Sequence, residues 1–262
     1  MEIMLNSFKQ AALIQVWELY LFCYFNEEGL KINREYKAPD FMLSNGDISV
    51  AVEAAVADNK TPYLELDKRR IPDVDVEEET KNILPLIYVS SLRSKLEYTT
   101  KDKNLNYWQY EHTKDIPFII AIVDFHDVFA MNTSTTALIN YLYGLKYSHN
   151  YDENGDLVVV TEKIDFHKKE RTGVKIRSGF FSKPNAENVS AILHSASGTI
   201  SKFDRIGKQC GFDTNNTIMQ RIVTVYNPEP NADKPLVFEY FVDENCEETW
   251  GKVFLYIIIP MP

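Results

Sequence analysis

A chain of 262 residues with 45% hydrophobic and 13% aromatic side chains can bury a sizeable core, which excludes a disordered or collagen-like polymer. A formal net charge of -10 makes the average surface repel anions. That excludes a non-specific nucleic-acid coat while leaving room for a local basic patch.

The three cysteines, Cys23, Cys210 and Cys246, are scattered and form no CxxC pair. This usage fits a reducing, cytoplasmic setting. No basic stretch followed by an apolar run and a small-residue cleavage site opens the chain. The apolar run "ALIQVWELYLFCYF" is interrupted by Glu18 and is too short to span a bilayer. The expectation is a soluble protein with no membrane partner.

In chain order, Leu13, Val16, Trp17, Tyr20, Leu21 and Tyr24 recur at helical spacing and predict a helix over 7–28, with Gly29 as its C-cap. Two strands follow, about 40–44 and 47–55, joined by the tight-turn signal "SNGD". Residues 58–80 are polar and broken by prolines, a long loop. A helix is expected over 83–102, with Ile87, Leu92 and Leu96 inward. "PFIIAIVDF", 117–125, is apolar and β-branched, the mark of a central strand buried on both faces. A short helix over 134–143 precedes a peripheral hairpin in 145–175, and "NVSAILHSA" gives another buried strand. This order predicts an α/β fold, a mixed central sheet flanked by helices. The core is expected over 1–210, with 211–262 as a C-terminal extension packed on it.

No P-loop, dinucleotide fingerprint, HExxH or GxSxG motif is present. His126 in "DFHD" reads as a polar strand-end residue, with a ligand role as the alternative. Lys202, Arg205 and Lys208 read as a solvated basic cluster or as phosphate contacts.

The stretch "KAPDFMLSNGDISVAVEAAVADNK" carries the chemistry. Alternation places Ser49, Ala51, Glu53 and Ala55 on one face of the second strand. The hairpin brings Asp40, at the start of its partner, toward Glu53. Two carboxylates at close range repel unless one takes a proton or a cation lies between them. Mg2+ or Mn2+ satisfies oxygen ligands of this kind. Ordinary surface acids on an exposed hairpin are the alternative.

This arrangement resembles the PD-(D/E)xK nuclease superfamily, which implies a restriction-endonuclease-like core. Pro39-Asp40 match its first element, Glu53 its second acid, and Glu18 in "VWELYL" its helical glutamate. Ala55 stands where the motif lysine belongs. The chain also resembles a family of uncharacterised bacterial proteins with such a core, through "APDF", "SLRSKL", "IPFIIAIVDFHD", "VSAILHSASGTISKFDRIG" and the "ETW" to "PMP" tail.

The resemblance implies that Asp40 and Glu53 hold Mg2+ with the carbonyl of Ala54, and that Glu18 supports a second ion or the metal's water. It implies a lysine displaced to the following helix. Lys95 in "SSLRSKLEY" fills that place, against the alternative of an ordinary amphipathic lysine. Ser178, Lys202 and Arg205 are then expected at the backbone of a nucleic acid, DNA above all. Two other readings stay open. One is a catalytically inactive nuclease-like fold that acts by binding a partner. The other is a hydrolase of a small phosphorylated substrate.

Overall fold

In the computed structural model the described residues are 2–57, 81–82, 84–101, 104–124, 130–168, 173–212, 218–225, 227–229, 232, 234–243, 245–251 and 255–258. The chain opens with helix α1 (Glu2–Glu27). Gly29, at φ +70°, ends it: Leu30 N donates to the Phe25 carbonyl and Gly29 N to that of Asn26. A left-handed residue after the last turn satisfies carbonyls that the helix leaves open.

Strands β1 (Lys31–Asn33), β2 (Phe41–Asn45) and β3 (Ile48–Ala57) follow. Asn45 pairs with Ile48, so Gly46 and Asp47 form a two-residue turn, with Gly46 at φ +61°. That conformation matches the twist of a hairpin. Helix α2 (Pro85–Leu96) leads to β4 (Phe118–Asp124), and α3 (Ala130–Tyr143) to the β5–β6 hairpin (Leu145–Tyr151, Leu157–Lys163). A short β7–β8 pair (Phe166–Lys168, Lys175–Arg177) precedes β9 (Ala191–Ser195) and α4 (Ile200–Gln209). A third hairpin, β10–β11 (Gln220–Val225, Leu236–Phe241), and strand β12 (Leu255–Ile258) complete the described elements.

The central sheet runs β1-β2-β3-β4-β9-β12. Strands β3, β4 and β9 are parallel, and β1, β2 and β12 pair antiparallel at the flanks. The fold is α/β with a mixed sheet flanked by helices, as its alternating elements predict. The 211–262 segment does more than pack on the core, because β12 extends the sheet itself by pairing with β9. Parallel strands need long crossovers, and these place helices on the faces of the sheet.

Alternation along β3 divides the core. Ala51, Ala55 and Ala57 pack with Tyr88, Leu92, Leu138 and Tyr141 from α2 and α3. Val52 and Ala54 pack with Trp17, Tyr20, Leu21 and Phe25 of α1. Glu53 therefore lies on the α2 face. The alanines of β3 let α2 approach closely, which brings side chains from that helix within reach of the strand.

Gly198 lies between β9 and α4, under Trp17. A Cβ placed there would meet Trp17 Cε3 at 2.7 Å and Val123 Cγ2 at 3.2 Å. Both neighbours are buried, so overpacking has no outlet. Gly198→Ala is expected to cost about 1–3 kcal/mol, read as a lower denaturant midpoint. An unchanged midpoint would show that the indole yields freely.

Candidate functional site

The β2–β3 ladder ends at the Phe41–Val52 pair. Past that point Asp40 replaces the missing strand: its Oδ2 accepts from Ala54 N at 2.8 Å, and its own backbone N donates to Glu53 Oε2 at 3.2 Å. The two acids therefore lie together at the open end of the hairpin. N–H and C=O of one strand residue point to the same side. The Ala54 carbonyl thus faces the same gap as the N–H that meets Asp40.

Lys95 reaches this site from the last turn of α2. Its Nζ lies 2.7 Å from Glu53 Oε1, and the Glu53 side chain is only 7% exposed. The main chain offers no lysine at position 55, where a buried alanine packs under α2. The amine arrives instead from the neighbouring helix. Tyr107, in a 3-10 turn after α2, donates its hydroxyl to the same oxygen at 2.7 Å. Burial first, then the Glu53 charge, push the Tyr107 phenol far above its ordinary range, so it stays protonated as a donor.

Burial, then the charges of Glu53 and Glu18 against the pull of Ala54 N–H and Lys95, push the Asp40 carboxyl up to about 7. Glu18 is half-buried on α1 and is raised too, first by burial and then by Glu53, with Lys95 and Arg34 opposing. The four ionisable groups expected at the site, Glu18, Asp40, Glu53 and Lys95, thus form one electrostatic cluster. It holds three acids against one intimate amine. Together with burial, the larger cause, that imbalance favours the protonated form of Asp40.

Among the described residues no three His, Cys, Asp or Glu side chains are drawn together as a ligand set. The donors here are of another composition: two carboxylates, Asp40 and Glu53, and one backbone carbonyl, Ala54. A small hard cation that keeps most of its water takes this kind of set. The acid conflict at Asp40 is the charge that such a cation would neutralise. The residues present fit Mg2+ or Mn2+.

The expected backbone contacts do not gather at this site. Lys202 is wholly buried and pairs with Glu248 at 2.6 Å. Arg205 lies 3.3 Å from the same carboxylate, and Arg221 bonds to it as well. Both α4 residues are thus committed inside the protein. Ser178 is also buried, with its Oγ 2.7 Å from His167 Nε2 and donating to the Asn140 carbonyl at 3.3 Å. It fastens the β7–β8 pair to α3. His126 and the 58–80 loop lie outside the described residues.

Two buried polar features escaped the sequence reading. Tyr107 was one, although the dense run "YWQY" before β4 is an aromatic signal. The other is a polar group at the C-terminal ends of β4 and β9. There Tyr88 donates to Asp124 at 2.6 Å, and His194 stacks edge-on against Tyr88. Burial holds the His194 ring neutral, down to about 4.

No described helix is long and apolar enough to cross a membrane. Comparison of the chain with family models, curated proteins and solved structures finds no match.

Proposed function

We propose that this chain is a Mg2+-dependent nuclease that hydrolyses phosphodiester bonds in DNA. The observation that carries the reading is the Lys95 amine at 2.7 Å from Glu53, delivered from a helix to an acid that already shares a site with Asp40. A structural lysine needs no second carboxylate beside its partner, and a surface acid is not buried against a helix-borne amine.

Asp40, Glu53 and the Ala54 carbonyl would hold the cation, and Glu18 would support its water shell. Once bound, the cation supplies an acidified water and neutralises charge on a phosphoryl oxygen. The protein's own groups do the rest. Lys95 orients a water beside Glu53 and offers positive charge to the oxygens of the reacting phosphate. Tyr107 fixes the Glu53 carboxylate through its hydroxyl, leaving Oε2 turned toward Asp40 N.

A non-catalytic binding module is the second reading, favoured by the net charge of -10, which weakens attraction to a phosphate backbone. Cleavage of labelled DNA with Mg2+ or Mn2+ decides between them. Lys95→Met is expected to lower the rate by roughly 10²-fold, the lower range for a positioned proton-transfer group, at unchanged DNA affinity. No cleavage by the parent chain with either metal would leave the binding reading.

A further inference from the structure

Two stacks of aromatic rings connect to the acid pair, one through the Ala38 carbonyl and one through Glu53. Tyr36 lies flat on His112, with ring centroids 3.8 Å apart and planes 4° from parallel. His112 Nε2 donates to the carbonyl of Ala38, two residues before Asp40, at 2.9 Å. In the second stack Tyr98 lies on Tyr107 at 4.4 Å, and Tyr107 donates to Glu53. Tyr110 joins the two, at 5.4 Å from His112 and 6.4 Å from Tyr107. The series begins and ends on exposed rings: Tyr36 is 41% exposed and Tyr98 38%. Each has one face covered by its partner and is partly open to solvent.

Exposed tyrosines held flat by a second ring are preset platforms for another π-face. In a duplex the base faces are already stacked, so only unpaired bases can use such platforms. The charge balance points the same way. An acidic chain cannot rely on backbone attraction alone, whereas stacking is insensitive to net charge. Exposed Lys37 follows Tyr36 directly and exposed Glu35 precedes it. Lys37 places one positive charge beside the platform, while Arg34 lies over the Phe22 ring.

We propose that Tyr36 and Tyr98 are a stacking site for unpaired bases, so that the substrate is single-stranded DNA led across Asp40 and Glu53. The proposal rests on the nuclease reading for what happens to the strand, and on the ring geometry alone for its binding.

The test is fluorescence anisotropy of the full chain in EDTA, with a labelled oligothymidylate and a duplex of equal length. The single strand is expected to bind more tightly. Tyr36→Ala and Tyr98→Ala should each weaken it roughly five- to hundredfold, the range for removing one base–aromatic stack. Tyr36→Phe keeps the ring and should keep the affinity, which separates stacking from a folding defect. Equal or tighter duplex binding, or unchanged affinity in both alanine variants, overturns the proposal. Cleavage with Mg2+ is scored separately. Tyrosine-dependent binding without cleavage sinks the nuclease reading and keeps the platform. Cleavage indifferent to both tyrosines does the reverse.

Discussion

Glu248→Ala is expected to destabilise the protein by about 3–5 kcal/mol, the range for stripping one partner from a buried ion pair. Glu248 is 1% exposed at its side chain and Lys202 is 0% exposed. Arg205 and Arg221 are half-buried on the same carboxylate. Burial pushes the Glu248 carboxyl up, yet Lys202, Arg205 and Arg221 together bring it below its ordinary value. Removing it leaves three cations facing each other, one of them without water. Lys202→Met should cost less, because methionine fills much of the volume and both arginines keep their partner. Chemical denaturation of the two variants measures the difference. A Glu248→Ala variant within about 1 kcal/mol of the parent, the size of an ordinary surface change, would show that the cluster is hydrated. Because the native carboxyl is depressed, its contribution is present above the unfolded value and is lost as pH falls through the native one.

Asp40→Asn is expected to do two opposite things: end metal-dependent cleavage and raise stability above pH 7. Asp40 moves from an ordinary value of 3.8 to about 7, mainly through burial and the Glu53 charge. Between those values the native state holds a proton that the unfolded state has released. Stability therefore falls as pH rises across that window and levels off above it. At 1.36 kcal/mol per unit the ceiling is roughly 4 kcal/mol, reduced by whatever water reaches the partly exposed side chain. Asparagine mimics the protonated acid and still offers an oxygen to Ala54 N–H, so the variant should show a flatter pH profile. Mg2+ should raise the melting temperature of the parent at pH 8 and leave Asp40→Asn unmoved, since a ligand stabilises only the state that binds it. A variant less stable than the parent at pH 8, or with the same pH slope, would remove Asp40 as the group under strain.

Much of the site was legible because its signals are local. "SNGD" fixed the hairpin, and period-two alternation put Glu53 on the face that α2 covers. With alanine at 55 the amine has to come from the next helix, where Lys95 sits one position before the buried Leu96. Lys202 and Arg205, which cluster with Lys208, misled for a physical reason. Three charges within seven residues of a polar helix look solvated, and nothing nearby signals the carboxylate 46 positions away that buries Lys202. Tyr107 was hidden in the same way, 54 positions from Glu53. Strand β12 reads as a tail until its pairing with β9 is seen.

That last pairing has a consequence for how the molecule is made. Tyr20 OH donates to the Trp250 carbonyl across 230 positions, Gly251 N donates to Glu27, and β12 lies beside β9. These contacts of α1 form only once residues 250 and 251 have been made. Until β12 is available, the β9 edge that it covers presents an unsatisfied ladder to any passing strand.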